Sequence, residues 1–138
     1  MAATVVSDDP IFGLYAYGGE LKSTADAVEV VPRDGLRDRF ALVRGTTRFQ
    51  MQLDRDGFAE DKAITLTNSL TRIEFLIENR SHDKHQTTLK FRGLPNGTYK
   101  ILLNEHSLAK VESNRGEELD VKIPISAHGG SRIALSRD

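Results

Sequence analysis

The sequence predicts an all-β protein, an antiparallel β-sandwich of jelly-roll or immunoglobulin-like type with about nine or ten strands. Three observations carry that prediction. Apolar and polar residues alternate with a period of two along most of the chain, the pattern of strands buried on one face only. Turn-forming residues recur at intervals of roughly ten. Helical periodicity is nearly absent, and only Thr24 to Val28 has the composition for a single turn of helix.

Taken in order, residues 1–8 read as a flexible tail, and the whole chain as a single domain from 1 to 138. Val28 to Val31 and Phe40 to Val43 read as strands, followed by Phe49, Met51 and Leu53 alternating with Arg48, Gln50 and Gln52. Ile73, Phe75 and Ile77 repeat the pattern, as do Leu119, Val121, Ile123 and Ile125, and Ile133 with Leu135. Between them stand Tyr17-Gly18-Gly19, Arg33-Asp34-Gly35, Asp56-Gly57, Asn114-Arg115-Gly116 and His128-Gly129-Gly130, all turn chemistry. The segment Thr87 to Leu103 reads as an antiparallel hairpin: Leu89 and Phe91 alternate, Pro95-Asn96-Gly97 reverses the chain, and Tyr99, Ile101 and Leu103 resume. Pro124 assigns the strand around it to a sheet edge or a bulge, because a central strand needs the N–H that proline lacks.

Composition narrows the function. The 138 residues carry 19 Lys and Arg against 20 Asp and Glu, a net charge of −1 that gives no long-range attraction for nucleic acid or an anionic membrane. Zero cysteine removes thiol catalysis, thiolate metal sites and disulfides. No apolar run is long enough to cross a bilayer, and no signal peptide is recognisable, so the chain reads as cytoplasmic or as a piece of a larger protein. No phosphate loop, nucleophile elbow or dinucleotide fingerprint occurs, and the chain is read as not an enzyme.

Three motifs could carry chemistry. Asp54-Arg55-Asp56-Gly57, with Glu60 and Asp61 following, offers oxygen ligands at alternate positions and a glycine bend, the beginnings of a calcium loop built on Asp54, Asp56 and Glu60. The match is partial, since the twelfth position is Thr65, and the plainer reading is a solvated hairpin tip. His82 and His85 lie in a polar loop at a spacing that lacks a helical register and a third zinc ligand. Phe12, Tyr15 and Tyr17 among glycines could stack on sugar rings, with Arg33 and Asp34 as hydroxyl partners, although first-strand core and rim residues have the same appearance. No cofactor is required on any of these readings.

The segments Asp9 to Gly19, Pro32 to Gly35, Asp54 to Phe58 and Phe91 to Tyr99, the last containing Gly93-Leu94-Pro95-Asn96-Gly97-Thr98-Tyr99, together resemble accessory domains. They are similar to the C-terminal β-sandwich that follows an α-helical barrel in large bacterial glycoside-hydrolase-like proteins, and to accessory sandwiches of secreted polysaccharide-degrading enzymes. The resemblance implies a non-catalytic carbohydrate-binding module, secreted as part of a larger protein. Its partners would be a polysaccharide or oligosaccharide and a catalytic domain of the same parent chain, with no nucleic acid and no membrane. A purely structural or protein-interaction sandwich without glycan affinity is the alternative.

Overall fold

The computed structural model describes residues 3–9, 13–17, 19–23, 27–32, 38–44, 47–60, 62–67, 69–79, 83–114, 117–125 and 130–137. Among the described residues there is no helix, and fourteen strands follow one another: Ala3–Asp9 (β1), Gly13–Tyr17 (β2), Gly19–Ser23 (β3), Ala27–Pro32 (β4), Arg39–Arg44 (β5), Thr47–Leu53 (β6), Gly57–Phe58 (β7), Ile64–Thr67 (β8), Arg72–Glu78 (β9), His85–Arg92 (β10), Gly97–Leu103 (β11), His106–Ser113 (β12), Leu119–Ile125 (β13) and Gly130–Arg137 (β14). They form a β-sandwich. One sheet has six strands in the order β13-β10-β6-β5-β1-β2; the other runs β12-β11-β14-β9-β8-β4-β3, with the short β7 added on β9. Every pairing is antiparallel except that of β1 with β5.

Alternation explains the packing. In the six-stranded sheet Phe40, Leu42, Phe49, Met51, Leu53, Leu89, Phe91, Val121, Ile123 and Ile125 are buried, and in the other sheet Val28, Val30, Ile64, Leu66, Ile73, Phe75, Ile77, Tyr99, Ile101, Ile133 and Leu135. All belong to one hydrophobic cluster between the sheets. Such side chains contribute about 1.5–3 kcal/mol each when fully buried. Phe58 meets Phe75 edge to face, with ring centres 5.3 Å apart and planes at 77°. β13 is a sheet edge, as Pro124 requires, and Pro124 itself faces solvent.

Two expectations are corrected. Residues Ala3–Asp9 are not a tail: Thr4 and Val6 are fully buried, and β1 lies between β2 and β5, parallel to the latter. A tail is read from the absence of a long apolar run, but a strand needs only every second residue buried, and Thr4 takes the second place. The segment Thr87 to Leu103 is not a hairpin either. β10 belongs to the six-stranded sheet, where it pairs with β13 and β6, while β11 pairs with β12 and β14 in the other.

The turn is an arch that carries the chain across the core. Leu94 explains why, since a hairpin would expose it at the tip whereas the arch buries it to 2% exposure. The arch's carbonyls are then satisfied by side chains: the Tyr99 hydroxyl donates to the Pro95 carbonyl at 2.9 Å and the Ser113 hydroxyl to that of Leu94 at 3.0 Å. The bond from a strand-start tyrosine to a carbonyl four residues upstream is the arrangement of a tyrosine corner, a device of sandwich corners. Burial raises the Tyr99 hydroxyl above its ordinary 10.0, with the nearby Arg137 charge pulling the other way, so it remains a donor throughout the neutral range.

Candidate functional site

Two polar features stand out from the core, one internal and one on a sheet face. The internal one joins the two places where the chain changes sheets, after Leu53 and before His85. His85 begins β10 on its core-facing side, in phase with Thr87, Leu89 and Phe91. Its ring Nε2 lies 2.8 and 3.0 Å from the two carboxylate oxygens of Asp56, and its Nδ1 lies 2.6 Å from the Asp83 carbonyl. The two side chains are 6% and 1% exposed. Asn79 donates its amide to the same Asp83 carbonyl at 2.8 Å.

Each nitrogen of the His85 ring thus lies within hydrogen-bond distance of a protein oxygen. A histidine with both ring nitrogens engaged by protein oxygens offers neither of them to a metal or a substrate. The pair is a clasp between the two sheet changes. Beside it, the Asp54 carboxylate accepts from the Thr87 hydroxyl and the Thr88 backbone N–H, both at 2.8 Å. Burial pushes the Asp54 carboxyl upward, but the Thr88 and Thr87 donors, its own backbone N–H and the Arg55 charge outweigh it and hold the group below its ordinary 3.8.

The sign of the resulting pH dependence follows from linkage. The unfolded chain binds the proton first, so Asp54 contributes stability above pH 3.8 that is lost as the pH falls through its lower folded value. In Asp54→Ala we expect a loss of about 1 kcal/mol at pH 7, the hydrogen bonds to a part-exposed charge being weaker than buried ones. Below pH 3.8 the difference from the parent should shrink, as urea titrations at several pH values would read. A difference that stays constant down to pH 2 contradicts this account.

The acidic loop is therefore not a solvated tip: Asp54 and Arg55 are exposed, but residues from Asp56 to Ala59 are buried as the chain crosses to the second sheet. Asp54 and Asp56 turn to different partners on β10, and Glu60 is exposed beyond β7. Among the described residues no group of three His, Asp or Glu is placed to hold a metal ion. His82, Arg33 and Asp34 lie outside the described residues, so the structure says nothing of them.

The second feature is a hollow of about 370 Å³ on the outer face of the six-stranded sheet, lined by Arg39 on β5, Gln50 and Gln52 on β6, Lys90 and Arg92 on β10, and Glu118 ahead of β13. Strand register assembles it. One row across the sheet runs through Arg39, Gln52, Lys90 and Asp120. The next runs through Tyr17, Val5, Ala41, Gln50 and Arg92, and a third through Tyr15, Ser7, Val43 and Arg48. Position 17 of β2 therefore continues a row that forms the hollow, and position 15 stands in the row beside it; their side chains lie outside the described residues. Arg92 and Glu118 form an ion pair at 2.7 Å, with both side chains largely exposed.

Sequence reasoning missed the hollow although its signal was present. Gln50, Gln52, Lys90 and Arg92 are the outward residues of the alternations that identified the core, and only the pairing of β6 with β10 brings them together. Fold and hollow define a β-sandwich that presents one polar sheet face. The chain matches no protein-family model, no curated protein sequence and no solved structure.

Proposed function

We propose that the chain is a non-catalytic accessory module that binds a polysaccharide or oligosaccharide on the outer face of its six-stranded sheet, within a secreted bacterial polysaccharide-degrading protein. The observation that supports this most is the alignment of the hollow with position 17 of β2 in a common cross-strand row, position 15 standing in the row beside it. From β10 to β2 there are four strand spacings, about 19 Å in all, a length suited to several sugar units laid across the strands. Amide and guanidinium groups bond hydroxyls, and β2, at the far end, carries Tyr15 and Tyr17 in its sequence. The buried clasp of Asp56 and His85 acts in this reading as a scaffold that fixes the start of β10, the strand that carries Lys90 and Arg92.

Affinity gel electrophoresis against a panel of neutral and acidic polysaccharides tests the proposal. At least one should retard the protein, and Gln50→Ala combined with Gln52→Ala should weaken that retardation roughly tenfold, the ordinary worth of one or two hydrogen bonds. If no polysaccharide retards the parent protein, the glycan reading fails. A second reading, a structural domain packing on a catalytic neighbour, draws on the other sheet, whose outward Leu76 and Leu102 are only half-buried, Leu102 opposite Ala134 and Leu76 opposite Arg132. It gains from a negative panel.

A further inference from the structure

We infer that the saccharide taken by this sheet face is acidic, a uronate-containing glycan whose carboxylate is held between Arg39 and Lys90. The inference rests on the glycan reading and adds the chemical class of the ligand. Arg39 and Lys90 occupy the two strands that flank β6, each opposite Gln52, so their backbones stand roughly 10 Å apart, two strand spacings. Both side chains are exposed and long enough to converge over the glutamine between them. Among the described residues neither side chain has a hydrogen-bonding or ion-pair partner, in contrast to Arg92, which Glu118 holds. Asp120 lies opposite Lys90 on the edge strand without forming an ion pair within 4.0 Å.

Hydrogen-bond capacity gives the same answer. Arginine and lysine only donate. A neutral sugar presents hydroxyls that must donate as well as accept, and the hollow offers them few acceptors: two amide oxygens and a carboxylate already paired with Arg92. A uronate brings its own acceptor, and a guanidinium matches a carboxylate in a forked, two-point geometry. Arg48, exposed on the same face one row away, adds to the positive field without entering the hollow. Nucleic acid is the less suited anion, because its dense phosphates demand more cations than this face and a net charge of −1 supply.

The test compares polygalacturonate with the same polymer after its carboxyl groups have been reduced to hydroxymethyl, by affinity gel electrophoresis and calorimetry at low and high salt. Single-stranded DNA and a neutral xylan serve as further ligands. Polygalacturonate or alginate should bind, carboxyl reduction should abolish the binding, and Arg39→Gln and Lys90→Gln should each weaken it roughly tenfold, as loss of a charge-assisted bond does. Both residues are exposed, so the variants should keep the parent's melting temperature. Binding that survives carboxyl reduction, or that is confined to xylan, overturns the acidic assignment and leaves the glycan reading standing. Equal or tighter binding of single-stranded DNA overturns the assignment to saccharide altogether. Failure to bind any polysaccharide sinks both.

Discussion

Asp56→Ala is expected to lower the unfolding free energy by about 3–5 kcal/mol, the cost of leaving one partner of a buried, hydrogen-bonded acid–histidine pair without the other. The His85 ring would keep its 2.6 Å contact with the Asp83 carbonyl, but Nε2 would face a cavity in place of two carboxylate oxygens. His85→Ala should cost a similar amount, since it takes the imidazole away from a carboxylate that is 1% exposed. Because the two residues act through one another, the double variant should lose less than the sum of the single losses, by about 1–3 kcal/mol. Urea unfolding of the four proteins at pH 7 completes the cycle. Strict additivity would refute the clasp as a coupled unit, and a single loss below about 1 kcal/mol would show that water replaces the missing partner.

The clasp also shows what was legible in the sequence and what was not. His85 lies four residues before Leu89 and six before Phe91, so the alternation that marks those two as core marks Thr87 and His85 as well; extending it by two steps would have placed the histidine inside. Asp56 carried no such sign. Asp-Gly after a strand ordinarily signals an exposed reversal, and nothing local distinguishes a reversal from a crossing to the opposite sheet. The partner that makes the crossing tolerable is 29 residues away. The same limit applies to the hollow: alternation identifies Gln50, Gln52, Lys90 and Arg92 as outward, but pairing between strands some 40 residues apart decides that they are neighbours. Local patterns report which face a residue occupies, and only tertiary pairing reports who shares it.

Gly93→Ala should be among the most damaging single changes in the chain, costing about 3 kcal/mol or more and leaving little folded protein. Gly93 is where the chain leaves the ladder between β10 and β6 and rises into the arch. Its φ is +92°, a region costly for any residue with a Cβ. A Cβ built there would stand 1.8 Å from the Arg48 carbonyl oxygen and 2.8 Å from its carbon, both backbone atoms held by the pairing of β6 with β5. Relief would require moving β6, and with it Phe49, or lowering the arch and withdrawing Leu94 from the core. Gly97→Ala at the other end of the arch provides the contrast. There φ is +150°, and the nearest obstacle, at 2.6 Å, is the Nε of the Arg137 side chain, whose exposed end can swing away. We expect about 1 kcal/mol for that change, from backbone strain alone. Comparing the two by urea midpoint and soluble yield separates backbone collision from loss of glycine freedom, since both positions share the latter. Equal, small losses at 93 and 97 would mean that the arch can shift away from β6, and that Leu94 and the Tyr99 hydroxyl do not fix it in place.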